Sequence, residues 1–164
     1  MSRNNYRIRL DKNKKFAKIL VPIDGSEPSF HAAQVALNIA EKFNGQIICL
    51  HVIASPLPHE YANLTGLVTP KQIDKILVDV KKDTNLWFKR IKDSSNQDRQ
   101  IDISTEVILT GLAAYGEIIQ YAEKEKIDLI VIGTRGKTKF KKLLLGSTAS
   151  GVITYAHCPV LVVK

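Results

Sequence analysis

The sequence is poor in cysteine, which excludes the small secreted folds that disulfide bridges hold together. It has two cysteines, Cys49 and Cys158, and each lies inside or beside an apolar run. We therefore expect two buried, reduced thiols in a cytoplasmic protein. With 164 residues, the chain can bury a sizeable core without a disulfide or a structural metal.

Long apolar runs are also missing. No run approaches the roughly 20 residues that a membrane-spanning helix needs. The basic N-terminus has no apolar stretch behind it, which argues against a secretory signal. We therefore expect an ordinary soluble domain.

Acidic residues are outnumbered by basic ones, 16 against 24, so the formal net charge is +8. Most of the excess lies in residues 1–15, and a second basic cluster lies at 135–142. We therefore predict a basic N-terminal extension over residues 1–15 and a nearly neutral domain over residues 16–164. The two basic segments can attract phosphates of a nucleotide, a nucleic acid or a lipid, or they can simply be solvated.

Sequence motifs of catalysis and metal binding are absent. There is no G-x-S-x-G elbow, and the histidines and cysteines lack metal-ligand spacing. No G-x-G-x-x-G fingerprint exists, and the Walker-like spacing of Gly111 and Gly116 is followed by Glu117 where a lysine is needed. These absences favour a binding protein over an enzyme.

Short apolar runs alternate with amphipathic segments along the chain. The runs predict strands at Lys18–Ile23, Gln46–Ile53, Ile101–Leu109, Asp128–Ile132 and Pro159–Val163. Helices are predicted from the cap Ser26 to Asn44-Gly45, from Thr69-Pro70 to Ile91, over Ala113–Lys126 and over Ser147–Ala156. Apolar strands separated by helices indicate an α/β fold, an open doubly wound five-stranded parallel sheet with helices on both faces. We expect Trp87, on the stripe of the second helix, to be a core residue.

The segments after the strands are the candidate binding segments, because ligands of open parallel sheets bind beyond the carboxyl ends of the strands. Asp24-Gly25-Ser26 follows the first strand, and Gly133 and Gly136 follow the fourth. Gly146-Ser147 then comes directly before the last helix, so the spacing is G-x2-G-x9-G-S. Glycines permit close approach of a ligand and positive φ, and N–H groups at a helix start attract anions. The pattern predicts a phosphate-binding loop.

These segments resemble the universal stress protein family over about residues 16–164. The resemblance is carried by ILVPIDGSEPS, HVI, DLIVIGTRGKTKFKKLLLGSTASGVI and CPVLVV, and the glycine spacing matches the family's ATP-binding pattern without a gap. It implies a fold similar to the nucleotide-binding α-hydrolases, with strand order 3-2-1-4-5, which places Asp24 and Gly133 on adjacent central strands. The basic extension and the lysine-rich loop depart from the family core.

The resemblance also implies a site for an adenine nucleotide, ATP or AMP, with Mg²⁺ possible beside ATP. Asp24 would lie near the adenine and ribose, Val52 would contact adenine through its backbone, and the glycine loop would hold the ribose and phosphates. The whole implied set is Pro22, Asp24, Val52, Ile132, Gly133, Arg135, Gly136, Gly146, Ser147, Thr148 and Ala149.

We expect a mainly non-catalytic, adenine-nucleotide-binding regulator of the stress response that acts on an unidentified protein. One alternative is a weak Mg²⁺-dependent ATP hydrolase or phosphate-transfer protein. Another is a nucleic-acid or anionic-surface binder that uses residues 1–15 and the lysine-rich loop, although no nucleic-acid recognition motif is present. We also expect a homodimer through Pro159–Val163, because an apolar edge strand invites pairing with its own copy and the family commonly dimerises this way.

Overall fold

The computed structural model describes residues 16–54, 70–94, 101–136 and 145–164, with the backbone alone for 70–77. These ranges contain five strands and four helices. In chain order they are β1 (Lys18–Pro22), α1 (Glu27–Phe43), β2 (Gln46–Ala54), α2 (Pro70–Asp93), β3 (Ile103–Thr110), α3 (Ala114–Lys124), β4 (Leu129–Gly133), α4 (Ser147–Tyr155) and β5 (Val160–Val163). No described helix is long and apolar enough to cross a membrane.

The strands form one parallel sheet in the order β3-β2-β1-β4-β5, which confirms the predicted fold. Ile19 in β1 pairs with Ile47 in β2 on one side and with Leu129 in β4 on the other. The chain therefore winds outward in opposite directions from β1 and β4. The carboxyl ends of these two strands meet at the switch point, where such sheets bind ligands.

Two buried clusters cover the two faces of the sheet. Side chains alternate along β1, so that Ile19 and Val21 face the cluster under α1 and α2, and Leu20 faces the cluster under α3 and α4. Trp87 is partly buried and packs against the first cluster, as its place on the helical stripe predicts. Apolar side chains on both faces explain why the strands are almost uniformly hydrophobic.

Local chain chemistry sets the helix ends. Ser26 caps α1 by accepting a hydrogen bond from the Ser29 N–H at 3.3 Å, and Asn44 ends the helix in the left-handed conformation with φ 52°. The predicted cap Thr69 lies outside the described residues. Helix α3 stops at Lys124, two residues before the predicted end, because Lys126 is left-handed with φ 55°.

The strand bounds also differ from the prediction by one or two residues. Strand β5 begins at Val160 and not at Pro159. Proline has no N–H to donate to a ladder, although its carbonyl accepts a hydrogen bond from the Ile130 N–H at 3.0 Å. Strand β3 begins at Ile103, but the preceding Asp102 still accepts from the Ile47 N–H at 2.8 Å.

Candidate functional site

A cavity of about 700 Å³ opens at the carboxyl ends of β1 and β4. The ends of β1, β2 and β4, the first turn of α1 and the starts of α3 and α4 contribute to its wall. Every residue predicted for the site lines this cavity: Pro22, Asp24, Val52, Ile132, Gly133, Arg135, Gly136, Gly146, Ser147, Thr148 and Ala149. The fold thus brings together residues from four segments that are far apart in the sequence.

Asp24 is held in the turn between β1 and α1. Its Oδ1 accepts hydrogen bonds from the Ser26 N–H at 3.0 Å and from the Ser26 hydroxyl at 2.6 Å. Gly25 between them has φ 81°, a conformation that glycine adopts without steric cost. The carboxylate is therefore fixed at the cavity wall by the same serine that caps α1.

At the three glycines of the motif, a side chain would meet the protein's own atoms, most severely at Gly133. A Cβ on Gly133 would lie 2.7 Å from the backbone carbon and oxygen of Pro28, so the first turn of α1 packs directly on β4. A Cβ on Gly136 would lie 2.5 Å from the Asp24 Oδ2, and one on Gly146 would lie 3.3 Å from the Thr134 oxygen. The atoms that approach these glycines closely therefore belong to the protein itself, whereas the sequence suggested close approach of a ligand.

The positive φ that glycine allows is not used at these three positions. Of the glycines in the described ranges, Gly25 is the one with a left-handed φ. The two ends of the loop are joined instead by a hydrogen bond from the Gly146 N–H to the Thr134 oxygen at 2.7 Å. Of the two properties of glycine, the motif therefore uses the close approach, and it closes the cavity wall.

Helix α4 presents its amino end to the cavity. Gly146 is its N-cap and makes no side-chain capping bond, and its first turn contains no acid. The Ser150 N–H donates to the Gly146 carbonyl at 2.9 Å, so the N–H groups of Ser147, Thr148 and Ala149 precede the first hydrogen bond of the helix. These N–H groups and the positive end of the helix dipole form an anion-binding arrangement.

The sequence model of the universal stress protein family matches residues 15–164. The chain belongs to the universal stress protein family. A universal stress protein of Methanocaldococcus jannaschii is 39% identical over 149 residues, which cover 91% of this chain and 82% of that protein. The structure of universal stress protein UspA from Lactobacillus plantarum is 27% identical, with a TM-score of 0.74 over 93% of this chain and 100% of that chain.

Two more distant structures of the family share the fold and contain a nucleotide. A universal stress protein in complex with cAMP is 21% identical, with a TM-score of 0.63 over 92% of this chain and 98% of that chain. The universal stress protein of Archaeoglobus fulgidus in complex with dAMP is 19% identical, with a TM-score of 0.63 over 91% and 98%.

In this universal stress protein, part of the cavity wall is apolar. Leu50 and Val52 come from β2, Ile132 from β4, and Ala114 and Ile118 from α3. Nothing in the sequence marked the two α3 residues, because their position depends on how α3 packs on the sheet. The wall suits a flat apolar group, whereas the α4 end suits an anion.

Charge in the cavity wall is sparse. Of the described lining residues, Asp24 is the one carboxylate and Arg135 the one guanidinium. The lysines predicted to attract phosphate, at 137–142, lie outside the described residues. Within the described ranges, no group of three or more His, Cys, Asp or Glu side chains is placed to hold a metal ion.

His51 was not predicted as a site residue, because a histidine without metal-ligand spacing carries no signal in the sequence. The structure places it in the cavity wall with its Nδ1 2.7 Å from the Ile23 oxygen. Since a carbonyl only accepts, Nδ1 carries the proton and donates it. The Trp87 ring meets the imidazole edge-to-face, at a centroid distance of 5.2 Å.

Proposed function

We propose that the protein binds an adenine nucleotide in this cavity and acts as a mainly non-catalytic regulator in the stress response. The observation that supports this proposal is that one cavity combines an anion-binding site with an apolar wall. The N–H groups of Ser147, Thr148 and Ala149 offer an anion site beside the end of β4, and β2, two strands away in the sheet, contributes apolar side chains. A nucleotide likewise joins an anionic phosphate to a flat purine ring.

The ligand would lie with its phosphate at the start of α4. Its purine would pack between Val52 and Ile118, and Asp24 would accept hydrogen bonds from the ribose hydroxyls. The nucleotides in the complexes of the two distant relatives, cAMP and dAMP, support this assignment because both combine adenine with one phosphate. A set of three or four charge-assisted hydrogen bonds, at about 1.5–3 kcal/mol each, gives about micromolar affinity after the entropy cost of binding.

The choice between AMP and ATP depends on the basic loop. Arg135 is exposed at the cavity wall, and lysines follow it in the sequence. This charge would favour a longer phosphate chain, and Mg²⁺ would then be held mainly by the phosphates of ATP. We accordingly propose ATP or AMP as the occupant.

Isothermal calorimetry with ATP, ADP and AMP tests the proposal, with GTP and GMP as controls. Saturable one-to-one binding of an adenine nucleotide is expected, and weaker binding of the guanine nucleotides. The proposal is rejected if none of the three adenine nucleotides binds at about millimolar concentration.

The partners of the protein are also part of the proposal. Strand β5 lies at the edge of the sheet, and Leu161 within it is 38% exposed. A second copy would pair with this edge and form a homodimer in the cytoplasm. Analytical ultracentrifugation should find a dimer that Leu161→Lys converts to monomers, and a wild-type monomer at micromolar concentration would contradict it.

Binding of nucleic acid or of an anionic surface would use residues 1–15 and the loop at 137–142, which lie outside the described residues. The separate N-terminal extension at 1–15 also stays a prediction. Hydrolysis of ATP is the competing enzymatic function, and turnover measurements with Mg²⁺ would test it.

A further inference from the structure

His51 sits where the pairing of β1 with β2 stops. The last ladder pair is Pro22 with Leu50, and the Ile23 N–H still donates to the Leu50 oxygen at 2.8 Å. In a regular parallel ladder, the next hydrogen bond would run from the Val52 N–H to the Ile23 carbonyl. The imidazole of His51 takes that carbonyl instead, at 2.7 Å.

The backbone of Val52 is directed toward the cavity. Gln46 and Leu50 use their backbone groups to bond the β1 side, and Ile47 bonds the β3 side. Because backbone groups alternate along a strand, the N–H and carbonyl of Val52 also point to the β1 side. β1 ends before reaching them, and the cavity begins there. Ile23 and Val52 are both among the described residues, and no hydrogen bond joins the Val52 N–H to the Ile23 carbonyl.

The imidazole is held in place by neighbours on α2 and in the Asp24 turn. Trp87 meets it edge-to-face, with an interplanar angle of 86°. Trp87 in turn packs against Gly25, where a Cβ would lie 2.5 Å from the indole ring. The ring orientation that delivers Nδ1 to the Ile23 carbonyl is thus set by packing, and a side chain at position 25 would disturb it.

We propose that His51 is a positioning residue of the nucleotide site. By occupying the Ile23 carbonyl, it ends the β1–β2 ladder and keeps the Val52 N–H available to an acceptor nitrogen of the adenine ring. Without the imidazole, the Ile23 carbonyl would accept from the Val52 N–H, β1 would lengthen by one residue, and the donor would be withdrawn from the ligand. The part of this inference that concerns adenine rests on the proposed function.

Calorimetry with AMP on three variants tests the ligand-binding part. His51→Ala should weaken AMP binding about tenfold or more. Its thermal stability should fall modestly, because the gained ladder bond offsets only part of the lost contact with Trp87. His51→Asn should bind AMP within about threefold of wild type, because its amide N–H can reach the position of Nδ1. His31→Ala, on the exposed face of α1, is the matched control and should bind like wild type.

Equal AMP affinity of His51→Ala and wild type would overturn the inference, and so would an Asn variant as weak as the Ala variant. If the wild type binds neither AMP nor ADP nor ATP, the proposed function is rejected instead. Amide hydrogen exchange without nucleotide separates the two failures. The Val52 N–H should exchange faster than the ladder amide of Ile48 in the wild type and become protected in His51→Ala. A Val52 amide as protected as Ile48 in the wild type would overturn the positioning role whatever the nucleotide result.

Discussion

Replacing Ser147 by proline removes a single N–H from the start of α4 and nothing else that the helix needs. Ser147 is the first residue of this helix, the position where proline is best tolerated. The preceding Gly146 has φ −71° and ψ 154°, the extended conformation that a residue before proline prefers. The substitution therefore tests the amide as a phosphate ligand without disturbing the fold.

A hydrogen bond from this N–H to a charged phosphate is worth about 1.5–3 kcal/mol, so Ser147→Pro should weaken AMP or ATP binding about 10- to 150-fold. The free energy of unfolding should stay unchanged or rise by up to about 1 kcal/mol, since proline restricts the unfolded chain. Calorimetry and urea denaturation measure the two quantities. Ser147→Ala is the control, because it removes the hydroxyl and keeps the N–H. Equal affinities of the proline variant and wild type would refute the role of the amide.

Three further predictions concern single side chains. Gly136→Ala places a Cβ 2.5 Å from the Asp24 carboxylate, so the carboxylate must move by about 1 Å. AMP affinity measured by calorimetry should therefore fall about tenfold. An unchanged affinity would contradict the role of Asp24. Arg90 lowers the pKa of Glu27 below 4.5, so this ion pair stabilises the fold above pH 4.5 and loses its effect as the pH falls through the folded-state pKa. The melting temperature of the wild type should therefore exceed that of Glu27→Gln at neutral pH and low salt, and the two should be equal in acid. Burial raises the pKa of the Cys49 thiol to about 12. Iodoacetamide should therefore leave Cys49 unmodified in the folded protein at mildly alkaline pH. Alkylation of Cys49 before the protein unfolds would contradict its burial.

Matched controls sharpen these tests. Gly111→Ala places its Cβ in open space, so affinity should stay at the wild-type value and the free energy of unfolding should stay unchanged or rise by up to about 1 kcal/mol. In high salt, the difference in melting temperature between the wild type and Glu27→Gln should be smaller, because both side chains of the ion pair are exposed and salt screens them. Cys158 is partly exposed and serves as the internal reference for alkylation.

The fold could be predicted where the chemistry is local. Uniformly apolar strands between helices indicate a parallel sheet, and Ser26 with Pro28 marks the start of α1 whatever the rest of the chain does. The strand order came from the family resemblance, since the pattern of apolar residues contains no information on which strands are neighbours. The switch point, and with it the place of the cavity, followed from that order.

The site could be predicted as a set of residues but not as a set of contacts. The spacing of Gly133 and Gly136 is visible in the sequence, whereas their neighbours Pro28 and Asp24 belong to a turn about a hundred residues earlier. The role of His51 was hidden for a similar reason. A histidine that replaces a backbone hydrogen bond is recognised only when the end of the adjacent strand is known.

Amide chemical shifts measured by NMR during an AMP titration test the central claim most directly, because they report on the N–H groups themselves. Large, saturable shifts are predicted for Ser147, Thr148 and Ala149 at one end of the cavity and for Val52 at the other. An absence of shifts with both AMP and ATP at millimolar concentration, or shifts confined to residues outside the cavity, would contradict the account.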